Sequence, residues 1–474
     1  MNNKKIINLC SIKAESSIRE TLKAIERGTI GIAFIIDKNS KLLGVTTDGD
    51  IRRALLRGRQ LSDKIGLIAN KKFIFVRKED SSQKALSRIS SVIKIVPIID
   101  KDGKLVDFIK YDQNIKIPIT SPDLKGNELK YLTDAFLSTW ISSTGGYIDR
   151  FEKEFAEFCS CKYGVAVSSG TTALHLAMTA LGIGEGDEVI IPDFTFAACA
   201  NTVLHTGASP VLVDIEKDYW TIDPAEIKKA ITSKTKAIMP VHIYGQPCNM
   251  ESIMKIAKDN NLHVIEDCAE AHGAEFDGKK VGSFGEIGCF SFFANKILTT
   301  GEGGMCVTNS KELHDKMKVL RDHGMSKEKK YWHDKVGFNY RTTNLQAAIG
   351  CAQLEKIKKT IKKRSNLENS YRKLFKDSKF IEFQKQNPRR KKITWLVSIL
   401  IKNGKRDQYI KKSMTSNVDT RPFFYSLGSM PIYKKYLFSN TNSLNISKSG
   451  MNLPTQINLG TFEINKIRRI LGNE

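Results

Sequence analysis

No stretch of the chain approaches the roughly 20 consecutive apolar residues that a membrane-crossing helix needs, so a membrane protein is not expected. The opening Met1-Asn-Asn-Lys-Lys-Ile-Ile has too short an apolar part for a secretory signal and no small-residue cleavage site, which points to a cytoplasmic location. CxxC pairs are missing as well. The 9 cysteines are odd in number and scattered, and no histidine follows Cys159 and Cys161 at zinc spacing. A disulfide framework and a structural zinc site are thereby excluded, and buried reduced thiols with no metal are expected. Acidic residues are in deficit, with 51 Asp and Glu against 75 Lys and Arg, a formal charge of +24. That balance can serve nucleic acid, a membrane surface or anionic metabolites. The short basic clusters at Lys356–Lys363 and Arg389–Lys392 carry no interleaved aromatics and no nucleic-acid motif. Neither nucleic acid nor membrane is expected as a partner. The excess lysine reads as compositional background that also attracts anionic metabolites.

What is present is a chain of 474 residues, 41% hydrophobic and 27% charged, the composition of a globular protein with two or three domains. Its first 115 residues contain an internal repeat. Ile32-Ala-Phe-Ile-Ile-Asp-Lys-Asn-Ser-Lys-Leu aligns with Ile95-Val-Pro-Ile-Ile-Asp-Lys-Asp-Gly-Lys-Leu at a constant offset of 63. Each copy reads as a helix, a short apolar strand, a polar turn and a second strand. In the first copy a helix follows, Asp48-Gly-Asp-Ile-Arg-Arg-Ala-Leu-Leu-Arg-Gly, opened by acidic residues and ended by glycine. Thr47 and Asp50 place a hydroxyl and a carboxylate at its N-terminus.

On these residues the repeat resembles a pair of CBS domains, small β-α-β modules that often bind adenine nucleotides between two copies. The resemblance implies an adenine nucleotide held by Thr47 and Asp50. The second copy has Lys110 and Gln113 at the aligned positions, so about one nucleotide per pair is expected. A pair kept only for packing or dimerisation is the competing reading.

After a proline-bearing linker, helical patterns alternate with β-branched runs: Gly164-Val-Ala-Val, Glu188-Val-Ile-Ile, Pro210-Val-Leu-Val, Ala237-Ile-Met-Pro-Val and His263-Val-Ile-Glu. This spacing predicts an α/β layer on a mainly parallel sheet, with ligands at the C-terminal ends of the strands. The residues just after each run carry the chemistry. Ser168-Ser-Gly-Thr-Thr opens a helix and offers free N–H groups and hydroxyls to a phosphate. Pro192-Asp-Phe-Thr-Phe196 offers a ring for stacking, with a core aromatic as the plainer reading. Glu266-Asp267 ends a strand with two acids that need partners. Ser291-Phe-Phe-Ala-Asn-Lys296 sets a lysine among apolar residues before a glycine-rich turn, as a nucleophilic amine requires. Phosphate cradle, stacking ring, acid and desolvated lysine together match the needs of pyridoxal 5'-phosphate (PLP).

Residues from about 120 to the end resemble the DegT/DnrJ/EryC1/StrS sugar aminotransferases. The resemblance rests on Trp140-Ile-Ser-Ser-Thr-Gly, Ser169-Gly-Thr-Thr-Ala-Leu, Pro240-Val-His-Ile-Tyr-Gly-Gln, Glu266-Asp-Cys-Ala-Glu, Phe290–Gly304, Gly337-Phe-Asn-Tyr-Arg-Thr-Thr-Asn-Leu-Gln-Ala-Ala and Thr420-Arg-Pro-Phe-Phe. It implies the PLP-dependent transferase fold type I, like aspartate aminotransferase, with a small C-terminal α+β domain. The implied boundaries are 1–115 for the CBS pair, 116–122 for a linker, 123–360 for the large domain and 361–474 for the small one.

The implied reaction moves an amino group from glutamate to a keto-deoxy-sugar nucleotide, a GDP-linked 4-keto-6-deoxy sugar by the details of the motifs, in bacterial surface-glycan synthesis. The implied roles are covalent attachment and proton shuttling for Lys296, and a contact to the pyridine nitrogen for Asp267. Gly170, Thr171 and Ser291 take the phosphate, Phe196 stacks on the ring, and Glu270 lies near the phenolic oxygen. Asn339 reaches the phosphate of a neighbouring subunit, which implies a homodimer. The dehydrating branch of the family has histidine in place of the lysine, so Lys296 favours transamination over a PLP-dependent dehydratase. A non-catalytic PLP-binding regulator governed by the CBS pair is the other alternative. His242, His272 and His323 are read as structural, and Glu302 as backbone-bonded.

Overall fold

The computed structural model describes residues 3–80, 93, 95–110, 117–326 and 328–472. The chain divides into two compact units, Met1–Ile115 and Lys116–Glu474.

In the first unit the repeat is visible in backbone geometry. β1 (Ser11–Lys13) runs parallel to β2 (Ile32–Ile36), which pairs antiparallel with β3 (Leu42–Thr47). β4 (Val76–Arg77), β5 (Ile95–Ile99) and β6 (Leu105–Lys110) repeat that order and those directions. The register shifts at Ile35/Ile36 in one copy and at Ile98/Ile99 in the other, the same offset as in the sequence. Asp37 Oδ1 accepts the N–H groups of Asn39 and Lys41, and Asp100 Oδ1 accepts those of Asp102 and Lys104, so the acid closes the same turn twice. The two turns also bond to each other: Leu42 N–H donates to the Gly103 carbonyl and Leu105 N–H to that of Ser40. Phe34 and Phe108 meet across this core at 5.9 Å. The helix expected before β5 and the position of Gln113 lie outside the described residues.

The second unit is built on a seven-stranded sheet. All five β-branched runs form strands: β7 (Tyr163–Val167), β8 (Glu188–Pro192), β9 (Ser209–Val213), β10 (Thr235–Ile238) and β11 (His263–Asp267). A short ribbon, β12 (Glu275–Phe276) and β13 (Lys279–Lys280), follows; then β14 (Ile287–Ser291) and β15 (Gly304–Thr308) complete the sheet in the order β7-β15-β14-β11-β10-β8-β9. The pairs from β9 to β14 are parallel, and only those involving β15 are antiparallel. Alternate residues enter opposite cores. Ile190, Val213, Ile238 and Val264 pack on one face; Ile191, Leu212, Met239 and Ile265 pack on the other. The expected mainly parallel α/β fold is therefore present.

The C-terminal region adds β16 (Ile381–Phe383), β17 (Arg390–Lys391), β18 (Val397–Ile401), β19 (Arg421–Pro422) and β20 (Gly450–Leu453). β16, β18, β20 and β19 form an antiparallel sheet with its own core, while β17 joins the ribbon β12–β13. Two boundaries read from the sequence fall differently in the chain. Residue 360 lies inside a continuous helix, Ile357–Leu374. The stretch 117–120 is packed rather than free. Ile117 and Ile119 are buried, and Ile117 exchanges backbone hydrogen bonds with Asn417 and Asp419. Apolar alternation around Pro118 makes it the first segment of the second unit.

Candidate active site

β11 ends in two acids whose side chains point to opposite faces of the strand. Glu266 is fully committed to structure. Its oxygens accept the N–H groups of Gly282, Phe284 and Gly285, and one faces His242 Nε2 at 3.1 Å. His242 Nδ1 accepts from Cys248 N–H, so that imidazole is structural, as expected. His272 is packed against Phe155, Phe290 and Phe292, and burial pushes it down to about 3, where it stays neutral. Asp267 faces the other way. Its Oδ1 accepts Ala269 N–H at 2.9 Å and its Oδ2 accepts the Cys199 thiol at 3.1 Å.

Three residues on, in the turn after β11, Glu270 is buried, with Oε2 accepting Tyr244 N–H at 2.8 Å and Oε1 3.6 Å from Lys296 Nζ. Burial, only partly offset by Lys296 and the Tyr244 N–H, pushes Glu270 up to about 7. It can therefore carry a proton at neutral pH beside the lysine. Lys296 is 11% exposed, and its Nζ lies 4.0 Å from the centroid of the Trp395 ring. Trp395 is itself held from two sides. Its Nε1 donates to the Asn295 carbonyl, and its own carbonyl accepts from buried Arg364.

The turn after β7 forms a cradle. Ser169 caps the helix Gly170–Leu181 by a reciprocal bond with Thr172, which uses the Thr172 N–H and hydroxyl. The Gly170 and Thr171 N–H groups at the helix start remain for a ligand, as does the exposed Thr171 hydroxyl. Ser291 at the end of β14 closes the cradle. A Cβ on Gly170 would sit 2.7 Å from the Ser291 Cβ, so only glycine admits this approach. The glycine-rich turn 301–304 is similarly constrained: Gly301 has φ +87°, and a Cβ on Gly304 would overlap the Ser169 carbonyl oxygen. Glu302 is exposed and contributes its backbone carbonyl to Thr300 and Gln346.

Phe196 is 59% exposed, so it is not a core aromatic; that place belongs to Phe194. Its ring meets Phe424, which stacks on Tyr244, which in turn stacks on Trp395. The structure thus brings Asp267, Glu270 and Lys296 together, joins Gly170 to Ser291, and links Phe196 to Lys296 through three rings. Asn339 stands apart. It is exposed, paired with Arg341 Nε at 3.1 Å, and makes no hydrogen bond to these residues. Cys199, Tyr244, Trp395 and Phe424 were missed in the sequence. Tyr244, with φ +50° in a tight turn, and Phe424 sit inside quoted motifs, but nothing in their spacing distinguishes a site wall from core.

These groups fit PLP. The cradle supplies uncompensated N–H donors for a dianion, Asp267 supplies an anionic acceptor at a strand end, and Phe196 offers a free ring face. In the first unit, Thr47 and Asp50 cap the helix Asp48–Leu56. Asp50 Oδ2 accepts the Thr47 N–H and hydroxyl, and Oδ1 pairs with Arg53 at 2.5 Å. Burial opposes ionisation there, but the bonds from Thr47 and Arg53 outweigh it and hold Asp50 below its ordinary value. A ribose would have to displace Arg53.

Comparison with known proteins agrees with this geometry. Residues 122–471 match the model of the DegT/DnrJ/EryC1/StrS aminotransferase family, and residues 3–57 match that of the CBS domain. The GDP-perosamine synthase of Escherichia coli O157:H7 is 43% identical over 349 residues, covering 73% of this chain and 95% of that protein. That of Vibrio cholerae is 44% identical over 364 residues, covering 75% and 98%. Among solved structures, an aminotransferase from Psychrobacter cryohalolentis superposes with a TM-score of 0.70 at 30% identity, over 74% of this chain and 97% of that one.

Proposed function

Because the chain belongs to the DegT/DnrJ/EryC1/StrS aminotransferase family and is a PLP-dependent sugar aminotransferase, we propose that it moves the amino group of glutamate to the 4-keto carbon of a GDP-linked 4-keto-6-deoxy sugar. The product would feed surface-glycan synthesis. The observation that carries amino transfer is the desolvated Lys296 between Glu270 and the Trp395 ring. The GDP-sugar rests on likeness to the two perosamine synthases.

When bound, PLP supplies an aldehyde and an electron sink. Everything else falls to the chain. Gly170, Thr171 and Ser291 hold the phosphate. Asp267 accepts the proton-bearing ring nitrogen as a hydrogen-bond donor, and Phe196 covers the ring face. Lys296 Nζ removes the proton from the donor's α-carbon and later delivers one to the sugar carbon, with Glu270 compensating its charge. Asn339, exposed and uninvolved in its own chain's site, serves the neighbouring subunit of a homodimer. A monomer by sedimentation would remove that role. The test of the reaction is a screen of GDP-, UDP- and dTDP-linked keto sugars with glutamate, read by product mass. A GDP-linked 4-amino product is expected, and a keto sugar that has lost a hydroxyl, with no amino sugar formed, would favour the dehydratase.

The CBS unit is proposed to bind one adenine nucleotide at Thr47 and Asp50. Calorimetry on wild type and Asp50→Ala tests this. Binding is expected in the first and loss in the second, whereas no heat at millimolar nucleotide leaves the unit a packing module. For such binding to regulate, the nucleotide must prefer one arrangement of the protein over another.

A further inference from the structure

Asp267 ends a three-residue relay whose other two members, Thr195 and Cys199, no role assigned above uses. Cys199 belongs to the helix Ala198–His205 and is 0% exposed. Its thiol donates to Asp267 Oδ2 at 3.1 Å, and its sulfur lies 3.3 Å from the hydroxyl of Thr195, which is 1% exposed. Either atom of that second pair could donate. The thiol proton is already directed at the carboxylate, so the Thr195 hydroxyl donates to sulfur. The order is Thr195 O–H to Cys199 S–H to Asp267. Oδ1 is held independently by Ala269 N–H.

We propose that Cys199 is a positioning residue for the reaction: its thiol fixes the Asp267 carboxylate in rotation and keeps it anionic where it meets the ring nitrogen. The proposal rests on Asp267 being the ring-nitrogen partner. The chemistry supports it in three ways. A hydrogen bond donated to the charged form of an acid favours that form. Burial, reinforced by the Asp267 charge, pushes the Cys199 thiol well up, so it stays protonated and toward the carboxylate it acts as a donor. And the relay ties the loop bearing Phe196 to the strand bearing Asp267, so one sulfur sets the spacing of the stacking ring and the anionic acceptor.

A plain packing role would be met by any small apolar residue. A donor role would be met by serine and not by alanine. The titratable groups around Asp267 are Cys199, Cys268, Cys289 and Glu270, with Lys296 beyond Glu270, and of these only Cys199 is altered in the comparison.

The experiment uses the holoenzyme and the cofactor-free protein of wild type, Cys199→Ser, Cys199→Ala and Asp267→Asn. In the holoenzyme, the acid limb of the glutamate half-reaction should move up by about one pH unit in Cys199→Ala, with roughly a tenfold loss of rate on that limb. Cys199→Ser should restore the wild-type profile. In the cofactor-free protein, the infrared S–H stretch of Cys199, isolated by difference against Cys199→Ser, should lie at lowered frequency and rise in Asp267→Asn. An alanine variant with the wild-type pH profile, in a protein where Asp267→Asn is slow, overturns the proposal. So does an S–H band that Asp267→Asn leaves in place. An unchanged half-reaction in Asp267→Asn overturns the reading of Asp267 instead, with the S–H band still reporting on the bond itself.

Discussion

Replacing Lys296 by alanine should abolish turnover, by about 10⁴-fold or more, while the protein stays folded. The size follows from losing two functions at one atom, because in the proposed mechanism Nζ would both anchor the cofactor and carry the proton at the reacting carbon. Among the described residues, the charged and aromatic groups seen in contact with Nζ are a carboxyl, Glu270, and an indole, Trp395, and neither is an amine that could stand in. The fold survives because the contacts that shape the Lys296 segment are made by its neighbours. Asn295 accepts from Trp395, Ile297 and Leu298 are buried, and the Phe293 carbonyl accepts the Lys296 backbone N–H. Glu270 loses its counter-charge, but as a group raised to about 7 it takes up a proton instead of remaining a bare buried anion. Product formation by mass over hours, with far-ultraviolet dichroism on the same sample, measures both halves. Turnover within a few-fold of wild type would remove the assignment of this site.

The parts of this site that could be read in the sequence share one physical trait: their local sequence is constrained by backbone geometry. The strand ends at Asp267 and Ser291, the capped helix start at Gly170 and the turn at 301–304 each need particular residues at fixed spacing, and those residues appear in order. The same holds for the repeat, where Asp37 and Asp100 close matching turns and the register shift recurs. Trp395 could not be found that way. It comes from a segment 99 residues beyond Lys296 and reaches it only because Arg364 and Asn295 hold its two ends. Cys199 is hidden for another reason. A small residue on a buried helix face reads as packing, and its hydrogen bond spans 68 residues. The linker expected at 116–122 was misjudged because its prolines suggest a break, while Ile117 and Ile119 on either side of Pro118 are what the second unit buries.

Asp267→Asn should slow the glutamate half-reaction on the order of 10²–10³-fold at matched cofactor occupancy. The substitution changes charge and almost nothing else. Asparagine keeps an oxygen for the Ala269 N–H, and its amide N–H can donate to Cys199 Sγ where the carboxylate had accepted, so the one group left without its acceptor is the weak thiol donor. What would disappear is the charge proposed to face the ring nitrogen, and with it the electron withdrawal that would let Lys296 take a carbon-bound proton. At 1.36 kcal/mol per decade, the expected loss corresponds to about 3–4 kcal/mol of barrier, in keeping with removal of one preorganised charge from a water-poor site. Glu270 cannot substitute for that charge: its two oxygens are turned to Tyr244 N–H and Lys296 Nζ. Glu266 cannot either, with its oxygens bound to three backbone N–H groups on the far side of β11. Stopped-flow absorbance of the cofactor band after mixing with glutamate gives the rate, and the same band before mixing gives the occupancy. A rate equal to wild type at equal occupancy would mean that the ring nitrogen faces some other group, and that Asp267 serves only the turn it closes with Ala269.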